Sequence, residues 1–188
     1  MIREEIQKAV EVLKAGGVIL YPTDTIWGIG CDASNAAAVQ KVYEIKKRSE
    51  AKSLIALVDS DVRLERTIEE VPFVAWDLIE FSEKPVTIIY DKPIGIANNA
   101  VNKDKSVGIR IVKDKFCKEL IRMLNKPIIS TSANISGEKQ ANSFSEISDE
   151  IKDSVDHIVN LRQEELNLNQ SSMIIKLNAS GLINIIRK

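Results

Sequence analysis

The stretch GVILYPTDTIWGIGCDAS, residues 17–34, begins with a short apolar run and continues into a polar loop. Residues 18–21 predict a buried strand, and Pro22 stops it because proline lacks the N–H that a strand ladder needs. The loop then brings the hydroxyls of Thr23 and Thr25 close to the carboxylate of Asp24. Such a loop either bonds its own backbone or presents a binding site at the end of a strand. The residues alone leave both interpretations open.

Segment 28–33, GIGCDA, has the glycine spacing G-x-G-x-x-A of a dinucleotide-binding loop. That motif requires a strand that leads directly into its first glycine, and here Pro22 and several further residues intervene. The chain also has no G-x-x-x-x-G-K-[ST] phosphate loop. The sequence therefore argues against a Rossmann site. The glycines are better explained as positions where the backbone turns tightly or approaches a ligand.

Helix and strand patterns alternate along most of the chain, and strands cluster near its end. Helices are predicted up to residue 15, over residues 35–47 and 72–81, from Asp114 to about residue 124, and over residues 144–155. Strands are predicted at residues 18–21, 53–58, 86–90, 107–112, 127–130, 157–161, 173–177 and 182–187. This order predicts an α/β fold in which helices pack on one mixed, twisted sheet, in a single domain over residues 1–188.

The composition argues against several classes of function. Apolar residues make up 44% of the chain and the formal net charge is −1, so no overall field attracts nucleic acid or acidic membranes. Two cysteines far apart and a single histidine, His157, argue against a zinc site and a Ser-His-Asp triad. Without a signal peptide or an apolar run of about 18 residues, the sequence predicts a cytoplasmic protein that does not span a membrane.

Any anion site must therefore be local, and residues 41–52 contain such an excess of basic side chains. Lys46, Arg48 and Lys52 follow a predicted helix, whose C-terminal dipole alone favours cations. The alternative is a phosphate site. If the helix ends near Lys47, Lys46 and Arg48 both point into one cleft, where lysine supplies a point charge and arginine a bidentate clamp.

Two later strands carry polar side chains in unusual places. Arg110 lies within the apolar strand at 107–112, where a buried guanidinium needs either an internal ion pair or the carboxylate of a small ligand. Four polar residues follow the strand at 127–130, and they either satisfy the turn or form a cradle for a nucleotide: Ser130, Thr131, Ser132 and Asn134.

Taken in order, these segments resemble the YrdC-like family, the threonylcarbamoyl-AMP synthases. The markers are GGVILYPTDTIWGIGCDA at 16–33, Lys46-x-Arg48, SVGIRI at 106–111 and STSANISG at 130–137. The resemblance implies a YrdC-like α/β fold with a twisted open mixed sheet, flanking helices and a deep, positively charged cavity. It also implies that L-threonine, bicarbonate and ATP yield threonylcarbamoyl-AMP and pyrophosphate, for the threonylcarbamoyladenosine modification of tRNA.

The resemblance further implies roles for individual residues. Thr25 contacts the threonine substrate, Arg110 holds its carboxylate, and Ser130 and Ser171 line the same end of the cavity. Lys46 and Arg48 are the catalytic pair; the expected ATP-binding residues are these two with Lys52, Ser106, Ser132, Asn134 and Arg187. Mg²⁺ is expected on the ATP phosphates, without metal ligands from the protein. The implied partners are tRNA or double-stranded RNA and the downstream transfer proteins.

Two alternatives remain, one based on departures from the family pattern and one on the basic cavity, which could instead bind an RNA phosphate backbone. Ser49 stands where the family often has proline, Glu83 where it has the first residue of a Pro-Gly-Pro, and Gln170 where it has glutamate. One alternative is therefore a YrdC-like paralogue with a changed substrate. The other is an RNA-binding module, against which the near-neutral charge and the few aromatic residues argue. In length the chain resembles the short single-domain form of the family.

Overall fold

One sheet runs through the described part of the protein, which in this computed structural model comprises residues 2–48, 54–165, 171–177 and 183–187. Its strands are β1 (Ile19–Tyr21), β2 (Gly28–Asp32), β3 (Ile55–Val58), β4 (Val86–Asp91), β5 (Ser106–Ile111), β6 (Ile128–Ser132), β7 (His157–Ile158), β8 (Met173–Leu177) and β9 (Ile183–Arg187). The helices are α1 (Ile2–Lys14), α2 (Ala36–Ile45), α3 (Asp61–Thr67), α4 (Phe73–Phe81), α5 (Lys115–Leu124) and α6 (Asp149–Ser154).

The strands follow the order β7-β1-β2-β6-β3-β5-β4-β8-β9, so neighbours in space are often distant in sequence. Pairing is mixed. The pairs β1–β2, β2–β6, β3–β6, β4–β5 and β8–β9 are antiparallel, whereas β1–β7, β3–β5 and β4–β8 are parallel. The prediction of an α/β fold with one mixed, open, twisted sheet and flanking helices is confirmed.

The two faces of the sheet differ because side chains alternate between them along each strand. One face is apolar across the central strands and packs against α2, α4 and α6; it carries Ile29, Ile129, Val58, Ile109, Ile88 and Ile175. The other face packs against α1 and α5 through Ile19, Ile128 and Leu57. Beyond those helices the alternation places small or polar residues on this second face, including Gly28, Ser130, Gly108 and Ser172.

The helix ends follow signals that the sequence contains. Asn35 caps α2, its Oδ1 accepting the N–H of Ala38 at 3.1 Å, and Asp114 caps α5, its Oδ1 accepting the N–H of Cys117 at 2.8 Å. Each cap satisfies a backbone donor that the first helical turn leaves free. Asn125 closes α5 in the left-handed region at φ 59°, which asparagine tolerates better than most residues.

The sequence did not predict a strand at residues 28–33, and a tight turn at these glycines is wrong. Gly28–Asp32 forms β2, a central strand between β1 and β6. A Cβ atom on Gly30 would lie 2.7 Å from Cε1 of Tyr21 and 2.8 Å from the carbonyl oxygen of Ile129. Glycine is needed here because neighbouring strands approach closely, and its presence hid the strand pattern.

Other elements differ mainly at their ends. The predicted helix 144–155 is a 3₁₀ turn, Phe144–Glu146, followed by α6, because buried Ile147 between them has extended backbone. The strand predicted at 157–161 ends at Ile158, β6 extends beyond residue 130 to Ser132, and α3 was not predicted. Residues 53 and 182, the expected starts of two strands, lie outside the described residues. In the described ranges, no helix is both long enough and apolar enough to cross a membrane.

Candidate active site

A cavity of about 160 Å³ opens over the part of the second face that α1 and α5 leave uncovered. Gly28 of β2, Ser130 and Ser132 of β6, Ile55 of β3 and Ile174 of β8 line it. Glycine and serine rise only a short way above a sheet, so these strands leave space that larger side chains would fill. The cavity therefore follows from small residues at alternate positions of neighbouring strands.

Three arginines line this cavity, Arg48, Arg110 and Arg187, and no carboxylate does among the described lining residues. Burial lowers the pKa of the Arg187 guanidinium, and the positive charge of Arg110 lowers it further. Burial also lowers the pKa of Arg48. Arginine keeps its charge despite such shifts, so the lining favours an anionic ligand.

Arg110 is held in place by Asp24 of the loop between β1 and β2. Its Nη2 donates to Asp24 Oδ1 at 3.0 Å, and its side chain is only 3% exposed. Asp24 Oδ2 also accepts the backbone N–H of Lys113 at 3.2 Å, which ties this loop to the end of β5. Arg110 Nε finds no hydrogen-bond partner among the described residues. The internal ion pair therefore exists, and it leaves a buried donor of Arg110 unused.

The hydroxyls of Thr23 and Thr25 form an ordered pair in the same loop. Thr23 Oγ1 donates to the carbonyl oxygen of Ile26 at 2.7 Å and lies 3.0 Å from Thr25 Oγ1. Because the single hydroxyl proton of Thr23 goes to Ile26, Thr25 is the donor within the pair. Both threonines line the cavity, so Thr25 presents acceptor lone pairs there.

Lys46 and Arg48 leave the end of α2 in different directions. Lys47 between them has a left-handed φ of 47°, and Arg48 N–H donates back to the carbonyl of Tyr43 at 2.9 Å. Arg48 reaches the cavity, where its Nη1 lies 3.4 Å from Thr131 Oγ1. The Lys46 ammonium instead donates to the carbonyl oxygens of Ser132 and Asn134. The structure thus brings Arg48, but not the Lys46 ammonium, to the cavity wall.

Of the other residues predicted near the nucleotide, some line the cavity and some do not. Ser132 and Arg187 line the cavity, and Arg187 donates to the carbonyl oxygen of Ser172 from Nε at 3.1 Å and from Nη2 at 2.8 Å. Asn134 turns its side chain into its own turn. Ser106 lies on the same sheet face as Arg110 but about 13 Å along β5, where its hydroxyl donates to Asp104 Oδ1 at 2.6 Å.

Of the remaining predicted residues, Ser130 and Ser171 line the cavity. Lys52, the third basic residue of the predicted phosphate site, lies outside the described residues, as do Ser49 and Gln170. Sequence reasoning did not single out several further residues of the lining: Ile26, Trp27, Leu54, Gln140, Ser172 and Ile174. Their contribution depends on which strands pair across the sheet, and no local pattern signals it. Within the described ranges, no cluster of three or more His, Cys, Asp or Glu side chains could hold a metal ion.

A family model matches residues 11–188, that of the Sua5/YciO/YrdC family, described as telomere recombination. The chain belongs to this family. The YrdC-like resemblance is thereby confirmed, and the other comparisons agree with it. A threonylcarbamoyl-AMP synthase of Hahella chejuensis is 33% identical over 153 residues, which are 81% of this chain and 83% of that protein.

Solved structures of the Sua5/YciO/YrdC family share the fold. P. abyssi Sua5 complexed with L-threonine superposes with a TM-score of 0.84 at 25% identity, over 92% of this chain and 50% of that one. E. coli YciO superposes with a TM-score of 0.85 at 23% identity, over 100% of this chain and 90% of that one. The chain therefore spans about half the length of the Sua5 protein and nearly all of YciO.

Proposed function

We propose that this protein is a threonylcarbamoyl-AMP synthase that combines L-threonine, bicarbonate and ATP and releases pyrophosphate. Its family and its synthase relative indicate an enzyme of the nucleotidyltransferase type. The observation that carries the proposal is a single cavity whose lining includes Arg110 with an unused buried donor and, separately, Arg48 beside the polar end of β6. An amino-acid carboxylate and a triphosphate are the two anions that such a pair of arginines accommodates.

Arg110 and Thr25 form the proposed threonine end. The Arg110 guanidinium, which lines the cavity, donates to the substrate carboxylate, while the ion pair with Asp24 holds the guanidinium in place. Thr25, with its proton directed at Thr23, accepts from the amino or hydroxyl group of the substrate. Ser130 and Ser171 complete this end with further hydroxyls.

Arg48 forms the proposed phosphate end together with Ser132, Thr131 and Arg187, all of which line the cavity. Lys52 joins them in the proposal on the strength of the family pattern. Ser106 stays a prediction for the far end of the nucleotide, because it shares the open sheet face without reaching the cavity. Mg²⁺ enters with the ATP phosphates, since hard cations bind oxygen ligands and keep several waters.

The chemistry that we propose needs no protein nucleophile. The threonine amine first attacks the carbon of bicarbonate: a C–N bond forms, a C–O bond breaks, and water leaves, which gives N-carboxythreonine. The carboxylate oxygen of N-carboxythreonine then attacks the α-phosphorus of ATP. A carboxylate–phosphorus bond forms as the bond to the β-phosphate oxygen breaks, and pyrophosphate leaves with the electron pair. Negative charge grows on the leaving phosphates, so a fixed guanidinium such as Arg48 stabilises the transition state more than the ground state.

The biological setting belongs to the same proposal. Threonylcarbamoyl-AMP would supply the modification of tRNA beside the anticodon through downstream transfer proteins, in the cytoplasm, with residues 1–188 acting as one domain. Both cysteines, Cys31 and Cys117, are buried and free, as a reducing compartment allows.

Pyrophosphate release tests the reaction when threonine, bicarbonate and ATP are omitted in turn. We expect release only when all three are present, and Arg48→Ala should lower the rate about 10²–10³-fold. Arg122→Ala is the matched control: this arginine is 70% exposed on α5, pairs with Glu119, and its loss should change the rate less than about twofold.

Each arm of this experiment has its own adverse outcome. Wild-type turnover by Arg48→Ala would refute the phosphate role of Arg48. Release that persists without threonine or bicarbonate would refute the reaction. A higher kcat/KM with another amino acid, such as serine, would identify a paralogue with a changed substrate.

A further inference from the structure

The Lys46 side chain has no donor to spare for a ligand. It is buried, with 2% of the residue exposed. Its ammonium donates to the carbonyl oxygens of Ser132 and Asn134 and to Asn134 Oδ1 at 3.2 Å. An ammonium group has three N–H donors, and these three acceptors use all of them, while Ser132 Oγ at 3.5 Å is a fourth and longer contact. The backbone of Lys46 joins the same turn, because its carbonyl accepts the N–H of Ser136 at 2.9 Å.

The Asn134 side chain is satisfied just as completely. Its Oδ1 accepts from Lys46, and its Nδ2 donates to the carbonyl oxygens of Ile135 at 3.0 Å and Glu138 at 2.8 Å. Asn134 therefore closes its own turn and connects it to the end of α2. Neither Lys46 nor Asn134 belongs to the described lining of the cavity, whereas Arg48, Thr131 and Ser132 do.

We propose that Lys46 and Asn134 are positioning residues that brace the turn after β6, so that Thr131 and Ser132 lie beside Arg48 in the cavity wall. Neither Lys46 nor Asn134 touches the nucleotide. Lys46-x-Arg48 thus contributes Arg48 to the cavity and Lys46 to the brace. The segment 132–134 contributes Ser132 to the cavity and Asn134 to the brace. The expected effect on the catalytic rate rests on the proposed function. The expected effect on the structure of the turn after β6 does not.

The electrostatic surroundings of Lys46 fit a brace better than a phosphate contact. Burial, and secondly the positive charge of Arg48, lower the pKa of the Lys46 ammonium to about 7. A neutral amine still has two N–H donors for the two carbonyl oxygens, but it has no charge to offer a phosphate. In these surroundings Lys46 can therefore still donate hydrogen bonds, whereas its positive charge is partly lost.

Amide hydrogen exchange tests the brace independently of any reaction. Lys46→Met keeps the apolar stem and removes the donors, and Asn134→Ala removes the acceptor. Both should speed exchange at backbone amides of residues 131–136 by about tenfold or more, since carbonyl and amide groups that hold this turn lose their hydrogen-bond partners. Arg48→Met, the matched change two residues away, removes only the contact with Thr131 Oγ1 in this segment and should leave exchange at residues 133–136 as in the wild type. Unchanged exchange in Lys46→Met would overturn the brace even if pyrophosphate release were never observed.

Two further measurements exclude a direct contact with the nucleotide. In a double-mutant cycle on kcat/KM for ATP, adding Lys46→Met to Asn134→Ala should cost less than about threefold more, because the brace is already lost. Adding Lys46→Met to Arg48→Met should cost its full effect. The proposal would be overturned if the effects of the two substitutions on kcat/KM were additive in both cycles. It would also be overturned by a crystal structure with α,β-methylene-ATP in which Lys46 Nζ binds a phosphate oxygen.

Discussion

A single left-handed residue separates the roles of Lys46 and Arg48. At the end of α2 the N–H of Lys47 donates to Glu44 and the N–H of Arg48 donates to Tyr43, both at 2.9 Å, which is a Schellman motif with lysine at the position that glycine usually occupies. The chain therefore reverses between the two basic residues. Lys47 itself turns outward and pairs with Glu150 of α6. A sequence pattern of two cations at i and i+2 cannot reveal this reversal, because no glycine marks it.

The buried ammonium of Lys46 should make the stability of the protein depend on pH in a specific direction. Its pKa in the folded protein is about 7, below the usual 10.5 of lysine. Between these pH values the unfolded chain holds a proton that the folded protein lacks, so the free energy of unfolding gains a positive slope with pH. Relative to Lys46→Met, the wild type should gain up to about 1.4 kcal/mol per pH unit above pH 7. Below pH 7 both states are protonated and the difference should be flat.

Chemical denaturation of wild type and Lys46→Met at pH 6, 7, 8 and 9 measures this difference. Subtracting the variant cancels the other titrating groups, which both proteins share. Parallel stability profiles across the whole range would contradict a depressed pKa at Lys46.

At the scale of elements, most helices and strands were predicted from the sequence, and the main exceptions are α3, the helix predicted at residues 144–155, and β2. The helix α5 shows apolar residues at helical spacing after its cap, Asp114, and its bounds agree with the prediction. In contrast, β2 alternates glycine with Ile29 and Cys31, and only contact with Tyr21 and Ile129 explains why glycine is required. Similarly, Trp27, Gln140 and Ile174 meet in one cavity because of the sheet order, which is set by pairings between segments distant in sequence, such as β2–β6 and β4–β8.

The close packing around β2 predicts the effect of a single methyl group. Gly30→Ala places Cβ within 3 Å of the backbone oxygen of Ile129, which cannot move without disturbing the β2–β6 ladder. We expect the free energy of unfolding to fall by about 1–3 kcal/mol, measured in urea. Gly108→Ala is the comparison, because its Cβ would meet side-chain methyl carbons of Thr87 and Ile55 at 3.2 and 3.3 Å. An equal or larger loss in Gly108→Ala would show that backbone contact is not the deciding term.

At the scale of the whole molecule, one sheet face is shared between a hydrophobic core and a ligand cavity. Residues from four distant parts of the chain, near positions 25, 48, 110 and 130, meet on that face because β2, β6, β3 and β5 are neighbours. The helices α1 and α5 cover the adjoining area and pack on Leu57 and Ile128. The part of the face that these helices cover therefore borders a cavity, in whose lining Arg110 has a buried Nε without a hydrogen-bond partner among the described residues.

This division predicts that stability and ligand binding are separable. Leu13 on α1 is fully buried in the core beneath α1 and α5 and does not line the cavity. Leu13→Ala should lower the free energy of unfolding by about 2–5 kcal/mol, through lost burial and the space left behind. Because distant sites without shared partners act additively, KM for threonine and ATP should stay within about twofold of wild type at a temperature where both proteins are folded. Ile2→Ala, at an exposed position of the same helix, should change neither quantity. A severalfold rise in KM for threonine in folded Leu13→Ala would mean that the helical layer shapes the cavity, and that core and site form one cooperative unit.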